Sequence, residues 1–483
     1  MSRKAHIAWT SLEAAGRQVL LLASSVILAR NISPSDFGLF ALASLPIGIA
    51  AVLADFGIGS SLVRLDRVDE AHRRTAFTLQ LGLGLFLVIL MVPVSLALGA
   101  YFVDARIGFL TFALSVPMLI SSLSSAHTAL LSREQKFTLL AKIYLSATVI
   151  SSLVTVTVSF WLHSPWTLAL QPAVYSLCVA LLSTMNRSWK PRIGLDRVAA
   201  KEMLAFGAPT VGVGLLSDVQ PRILTLAIGI NHSPDAVAQF QRAYTSHLIP
   251  MQSLASIFNR LSFPILASQQ SDMRLFEKTL RALTSSGVAI SAPIMCALAL
   301  NSSTILVYVF GEAWRPAGPA FAALCVSGAI YPLQAISHKA VLALGRSGSL
   351  FVLHLSRLFI LVPMVVLAAP HGILVVALFY TIYSFICHFF NMILLARVSV
   401  YSFLKQALDL LPVAASTAAM IAFAKLSSFA GFGVGLRYAL VSTAGAFFVY
   451  LVTLATIVVL TRHPLRAELQ LLLSTVSGGR GKR

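Results

Sequence analysis

A chain of 483 residues that is 57% hydrophobic and only 11% charged, with a mean hydropathy of +0.84, is not a soluble globular protein, in which about 25% of residues are charged. Its formal net charge of +19 would suggest nucleic acid in a soluble chain, but basic loops on one face of a membrane give the same excess. No loop is long enough for a polymerising or sugar-transferring site, and no P-loop encodes an ATP-driven motor.

Apolar stretches begin near residues 8, 37, 76, 107, 139, 166, 204, 236, 282, 317, 349, 372, 407 and 436. Crossing about 30 Å of hydrocarbon takes ~20 helical residues, and a helix pairs its own backbone groups there. The expected fold is therefore an all-α polytopic membrane protein of about fourteen transmembrane helices. The N-terminal MSRKAHIAW has a basic flank like a signal peptide, but the apolar region behind it is long and carries Glu13, Arg17 and Gln18, so it reads as a retained first span.

Polar residues within spans mark a protein interior or a wet cavity, because lipid penalises them. In chain order, Glu13 and Arg17 form an i,i+4 acid–base pair. Asp55 precedes a glycine-rich span end, and a helix-end or salt-bridge role competes with proton coupling. Asp218 and Arg222 repeat the i,i+4 pairing, so Arg222 is either neutralised locally or free for an anion. Arg242 has no acid three or four residues away and is flanked by Gln239 and Gln241. Lys339 and Arg357 lie in the basic-side halves of the tenth and eleventh spans, placed to catch an anionic headgroup or to snorkel. Together Arg222 and Arg242 suit an anion such as a diphosphate, which guanidinium meets with forked hydrogen bonds, and Arg17 is either neutralised by Glu13 or faces a cavity. Cys178, Cys296, Cys325 and Cys387 sit in apolar runs with no metal spacing and read as buried hydrophobes. Neither metal nor cofactor is implied.

Alternate loops differ in basic residues, twenty-five against five. By the positive-inside rule both termini are cytoplasmic. The chain also resembles itself. ARNISPSDFGLF (29–40) parallels GINHSPDAVAQF (229–240), and ALLSREQKF (129–137) parallels VLALGRSGSLF (341–351). Six spans repeat with the same orientation, so two lobes related by a pseudo-two-fold axis along the membrane normal are expected. The partition is an N-terminal six-helix lobe at 1–186, a basic cytoplasmic linker at 187–203, a C-terminal six-helix lobe at 204–398, two additional helices at 399–462 and a basic cytoplasmic tail at 463–483.

These fragments, with LADFGIGSSLVR (53–64), FNRLSFPILASQQ (258–270) and FGEAWRPAGPAF (310–321), resemble the polysaccharide-biosynthesis branch of the multidrug/oligosaccharidyl-lipid/polysaccharide exporter superfamily. The resemblance implies a flippase rather than an enzyme. Its cargo would be an undecaprenyl-diphosphate-linked oligosaccharide, moved from the cytoplasmic to the periplasmic leaflet of the bacterial inner membrane for O-antigen, capsule or exopolysaccharide assembly. It also implies lobe-lining cations for the diphosphate, with Arg17, Arg222 and Arg242 in compatible places, H+ or Na+ coupling, and a functional link to glycosyltransferases and a polysaccharide polymerase. The family's ion-binding acids vary, and Asp55 and Asp218 are candidates for coupling only as acids within the spans. A monomer is expected, with no nucleic-acid partner. The competing readings are a drug or organic-cation antiporter, favoured by an acidic cavity, a lipid II flippase, and a membrane glycan polymerase or ligase.

Overall fold

The computed structural model describes residues 3–185, 189–399, 401–429 and 436–460. Among them every regular element is helical. The basic tail expected at 463–483 lies outside the described residues.

By packing, the chain separates into two units, Met1–Ala238 and Gln239–Arg483. The first contains α1 (Arg3–Asn31), α2 (Pro34–Ala43), α3 (Leu45–Asp55), α4 (Ile58–Arg64), α5 (Glu70–Tyr101), α6 (Ala105–Arg133), α7 (Phe137–Ser159), α8 (Pro165–Met185) and α9 (Arg197–Asn231). What the sequence presents as one second span is thus three helices. Ser33 caps α2, its hydroxyl accepting from the Asp36 N–H, and Pro34 opens it. Pro46, which has no N–H to donate, marks the α2–α3 junction. Phe56 (φ 41) and Gly57 (φ 65) then turn left-handed and separate α3 from α4. Four carbonyls at the end of α4 and just beyond it, those of Leu62, Val63, Leu65 and Asp66, accept from the Arg133 guanidinium.

Aspartates start the long helices. Asp69, Asp104, Asp196 and Asp272 each accept from backbone N–H groups one turn on, opening α5, α6, α9 and α11 (Met273–Leu300). Because Asp196 caps α9, the helix begins inside the stretch expected as linker. The segment before it is docked along α5. The Trp189 indole N–H donates to Glu70 at 3.0 Å, Gly194 N–H to Thr78 at 3.0 Å and Asp196 N–H to Thr75 at 2.9 Å.

α9 packs on α3, α4 and α5 and so joins the first unit, although its sequence opens the second repeat. The reason is a backbone contact without side chains. A Cβ on Gly207 would stand 1.9 Å from the Phe56 carbonyl oxygen, and one on Gly57 would stand 2.8 Å from the Gly207 Cα.

The second unit begins within α10 (Pro234–Ser268). It contains α11, α12 (Ser302–Phe310), a 3-10 turn at Glu312–Ala317, α13 (Gly318–Ala329), α14 (Tyr331–Ala343), α15 (Ser347–Ala368), α16 (Ile373–Val398), α17 (Phe403–Phe429) and α18 (Leu436–Leu460). α11 packs on α13, α14 and α17, α13 and α15 pack on α16, and α17 pairs with α18. Hydroxyls tie the helices through carbonyls: Ser291 to Ala329 at 2.6 Å, Thr381 to Ala323 at 2.8 Å and Tyr450 to Ala289 at 2.8 Å.

Eleven described helices or helix runs are long and apolar enough to cross a membrane. A count of fourteen requires α1, α9 and α10 to cross as well. α9 and α10 have 35 residues each, about 52 Å of helix, so length does not exclude them. Their polar residues make them less apolar than the others, and those residues include Asp218 and Arg222 on α9 and Gln239 and Arg242 on α10.

Candidate functional site

In the first unit, α2, α3, α6, α7, α8 and α9 enclose a cavity of about 570 Å³. One wall is the α2–α3 break, contributing Phe40, Ser44, Gly48 and Asp55. A second is the hydroxyl run of α6, with Ser121, Ser122, Ser124, Ser125 and Thr128. Most of these hydroxyls donate to carbonyls on their own helix, and Gln80 donates to Ser125 at 2.7 Å. Tyr144 and Tyr175 close a third side.

Arg222 enters from α9. Its Nε donates to Asp218 Oδ2 at 2.5 Å, and its Nη1 donates to the carbonyls of Ser44 at 3.0 Å and Leu45 at 2.9 Å. The expected i,i+4 pair is therefore present, but it occupies one side of the guanidinium. Nη2 lies where a Cβ on Gly48 would be, 1.4 Å from that position. Only glycine leaves room for it. Nη2 has no hydrogen-bond partner among the described residues, and both Gly48 and Arg222 line the cavity. The arrangement presents one fixed cationic edge to a hydroxyl-lined space.

Asp55 lines the same cavity and accepts from the Gly57 backbone. Arg17 lies with its guanidinium carbon 5.5 Å from the Tyr175 ring centroid and its Nη1 4.0 Å from Glu13 Oε1. Four of the residues singled out from sequence thus gather at or beside one cavity: Arg222, Asp218, Asp55 and Arg17. The serine-rich wall of α6 was not singled out. Its signal was there, five hydroxyls within eight residues of an otherwise apolar span.

The other candidates sit elsewhere. Arg242, 8% exposed, is stacked between the rings of Phe310 at 4.3 Å and Trp314 at 4.5 Å. Gln239, one turn earlier, donates to the Ala313 carbonyl at 2.8 Å. Both side chains hold the α12 end and the 3-10 turn. Trp314 is fully buried here.

Arg357, 6% exposed, lies with Nη2 3.3 Å from His338 Nε2. The His338 ring contacts His354 at 5.0 Å. Lys339 is the half-buried neighbour of His338 on α14. No Asp or Glu occurs between Glu312 and Asp409, so α14, α15 and α16 offer this guanidinium no carboxylate. Among the described residues no cluster of His, Cys, Asp or Glu has metal-binding geometry. Cys296, Cys325 and Cys387 are buried and Cys178 is half-buried.

Residues 27–319 match the family model described as polysaccharide biosynthesis protein. The chain is 23% identical over 352 residues to the lipopolysaccharide biosynthesis protein WzxC of Escherichia coli, covering 72% of this chain and 71% of that one. It is 23% identical over 345 residues to the teichuronic acid biosynthesis protein TuaB of Bacillus subtilis, covering 71% of each. Over 334 residues it is 23% identical to the succinoglycan biosynthesis transport protein ExoT of Rhizobium meliloti, covering 67% of this chain and 66% of that one. The fold is that of the lipid II flippase MurJ in an inward closed conformation, with a TM-score of 0.72 at 15% identity over 93% of this chain and 98% of that one. An inward-facing multidrug resistance MATE transporter matches with a TM-score of 0.58 at 13% identity, covering 79% and 95%.

Proposed function

The chain belongs to the polysaccharide biosynthesis protein family, and from that premise we propose that it is a flippase for lipid-linked oligosaccharides that feed a surface polysaccharide. The observation that carries this reading is the open edge of Arg222 on the hydroxyl-lined cavity of the first unit. Nε and Nη1 are held by protein oxygens, so Nη2 is oriented before cargo arrives. A phosphate oxygen of an isoprenoid diphosphate meets it with a charge-assisted hydrogen bond. The serine and threonine hydroxyls of α6 and the two tyrosines offer donors and acceptors of the kind that sugars need. Arg17 beside Tyr175 adds a second cation. Arg357 and Lys339, on helices without acids, serve the anionic headgroup at a separate stage, and Arg242 with Gln239 steadies the 3-10 turn beside α12.

Transport by alternating access follows if cargo stabilises one conformation and ion entry resets the other. Asp55, on the cavity wall, and Asp218, paired with Arg222, are the groups placed to link an H+ or Na+ gradient to that reset. The excess of basic residues in alternate loops supports a bacterial inner-membrane protein with both termini in the cytoplasm.

The test is deletion of the gene followed by analysis of lipid-linked saccharides. The reading predicts accumulation of a complete unit facing the cytoplasm. Accumulation of incomplete units, or of units already facing outward, overturns it.

A further inference from the structure

A second polar cavity, of about 230 Å³, lies at the start of α11, lined by Arg274, Glu277, Lys278 and Arg281. These positions recur at i, i+4 and i+7 and share one helix face with Glu277 at its edge. The acids nearby are already engaged. Glu277 accepts from Lys405 of α17 at 2.6 Å. Asp409, also of α17, is gripped by Arg281 through two bonds of 2.7 Å and receives the Tyr401 hydroxyl at 2.8 Å. Asp272 accepts from the backbone N–H groups of Arg274 and Leu275. Four cations therefore face three carboxylates, and among the described residues Arg274 and Lys278 form no ion pair. Both are exposed.

The surface beside this cavity is apolar. Leu404, Leu408 and Leu411, at i, i+4 and i+7 on α17, are all more than half exposed, and Leu275 at the start of α11 is exposed as well. α17 packs directly on α11, with Lys405 paired to Glu277 and Asp409 to Arg281, and Leu404 and Leu408 each precede one of these α17 residues, so the stripe and the cations lie at the same end of one helix pair. Arg274 and Lys278 fall within the first six residues of α11, less than about 9 Å along its axis. That is headgroup depth for a helix whose remainder is in hydrocarbon.

We propose that this face is a binding site for an anionic phospholipid of the bilayer. Its phosphodiester sits between Arg274 and Lys278, and an acyl chain lies along Leu404, Leu408 and Leu411. A free phosphate would use the cations but not the stripe, and a neutral lipid the stripe but not the cations. Charge and apolar surface side by side select a lipid that has both. The Arg281–Asp409 and Lys405–Glu277 pairs give the site a second role, because a lipid seated there fastens α17 to α11 at its charged end. The inference rests on the membrane reading of the chain and is independent of its cargo.

The test uses the full-length protein in neutral detergent, incubated with phosphatidylglycerol or phosphatidylcholine of the same acyl chains and read by native mass spectrometry. The wild type retains phosphatidylglycerol in excess over phosphatidylcholine. Each basic residue near a membrane surface contributes about 1 kcal/mol to anionic-lipid attraction, so the double variant Arg274→Gln/Lys278→Gln loses the excess by roughly tenfold or more. Its thermal unfolding is unchanged, since both side chains are exposed. Leu408→Asn weakens retention of phosphatidylglycerol with the cations intact. Equal retention of both lipids, an excess that survives the double variant, competition by inorganic phosphate that ignores Leu408→Asn, or retention of an isoprenyl diphosphate without phospholipid would each overturn the proposal.

Discussion

Arg222 and Gly48 act as a steric pair. The guanidinium reaches the Ser44 and Leu45 carbonyls only because residue 48 has no side chain, a Cβ there standing 1.4 Å from Nη2. Gly48→Ala should therefore impair transport about as much as Arg222→Gln, although alanine favours helix by about 1 kcal/mol. Losing one charge-assisted hydrogen bond of about 1.5–3 kcal/mol weakens cargo binding ~10- to 100-fold. The double variant should be no worse than either single one, because both remove the same contact. Export measured at matched expression checks this, and additive losses would separate the two residues. Arg242 makes the opposite kind of prediction. Stacked between Phe310 and Trp314, its contacts contribute about 1–2 kcal/mol by cation–π attraction, so Arg242→Ala should lower the melting temperature of the purified protein. Unchanged melting with lost export would return Arg242 to direct contact with cargo. The sequence separates the two arginines only by the acid near Arg222 and makes both candidates for the anion. Pairing at i,i+4 was readable for Arg222, but the ring sandwich of Arg242 depends on residues some seventy positions away, which no local pattern reveals.

At the scale of elements, the repeat is legible in backbone geometry as well as in letters. After α6, Glu134 N–H donates to Leu130, Gln135 to Ser132 and Lys136 to Leu131, with Gln135 at φ 55. After α14, Leu344 donates to Ala340, Gly345 to Leu342 and Arg346 to Val341, with Gly345 at φ 72. The same turn recurs with a glutamine in one copy and a glycine in the other. A left-handed residue other than glycine costs about 1 kcal/mol. Gln135→Gly should thus stabilise the protein and Gly345→Ala destabilise it, each by about that amount, as read from unfolding midpoints. The Asp69 cap has a pH signature. The His72 backbone N–H holds its carboxyl below the usual carboxylate range. Its contribution is therefore complete above the unfolded value near 4 and fades as pH falls through the lowered folded value. Asp69→Asn, which keeps an accepting oxygen without the titration, should flatten that acid limb of the stability profile. The second span shows where sequence reading stopped short. Its apolar run was plain, yet its division into α2, α3 and α4 comes from Pro46, from the left-handed Phe56–Gly57 pair, and from Gly207 pressing on that pair. Only the first was visible in the letters.

For the whole molecule, hydrophobicity and spacing announced a helical membrane protein, and loop fragments pointed to its family. The packing units do not follow the repeat, because α9 is drawn to α3, α4 and α5 by glycine contacts that a periodic apolar pattern conceals. The cavity was also hidden, since the α6 serines bond to their own helix and the sequence gives no sign of which face they line. The account depends on cargo meeting the oriented edge of Arg222. The direct measurement is translocation of a fluorescent isoprenoid-diphosphate oligosaccharide in proteoliposomes containing the wild type, Arg222→Lys or Arg222→Gln. The account predicts translocation by the wild type, a reduced rate with lysine, which keeps the charge without the fork, and loss with glutamine. Equal rates for all three proteins, with equal amounts reconstituted, would contradict it.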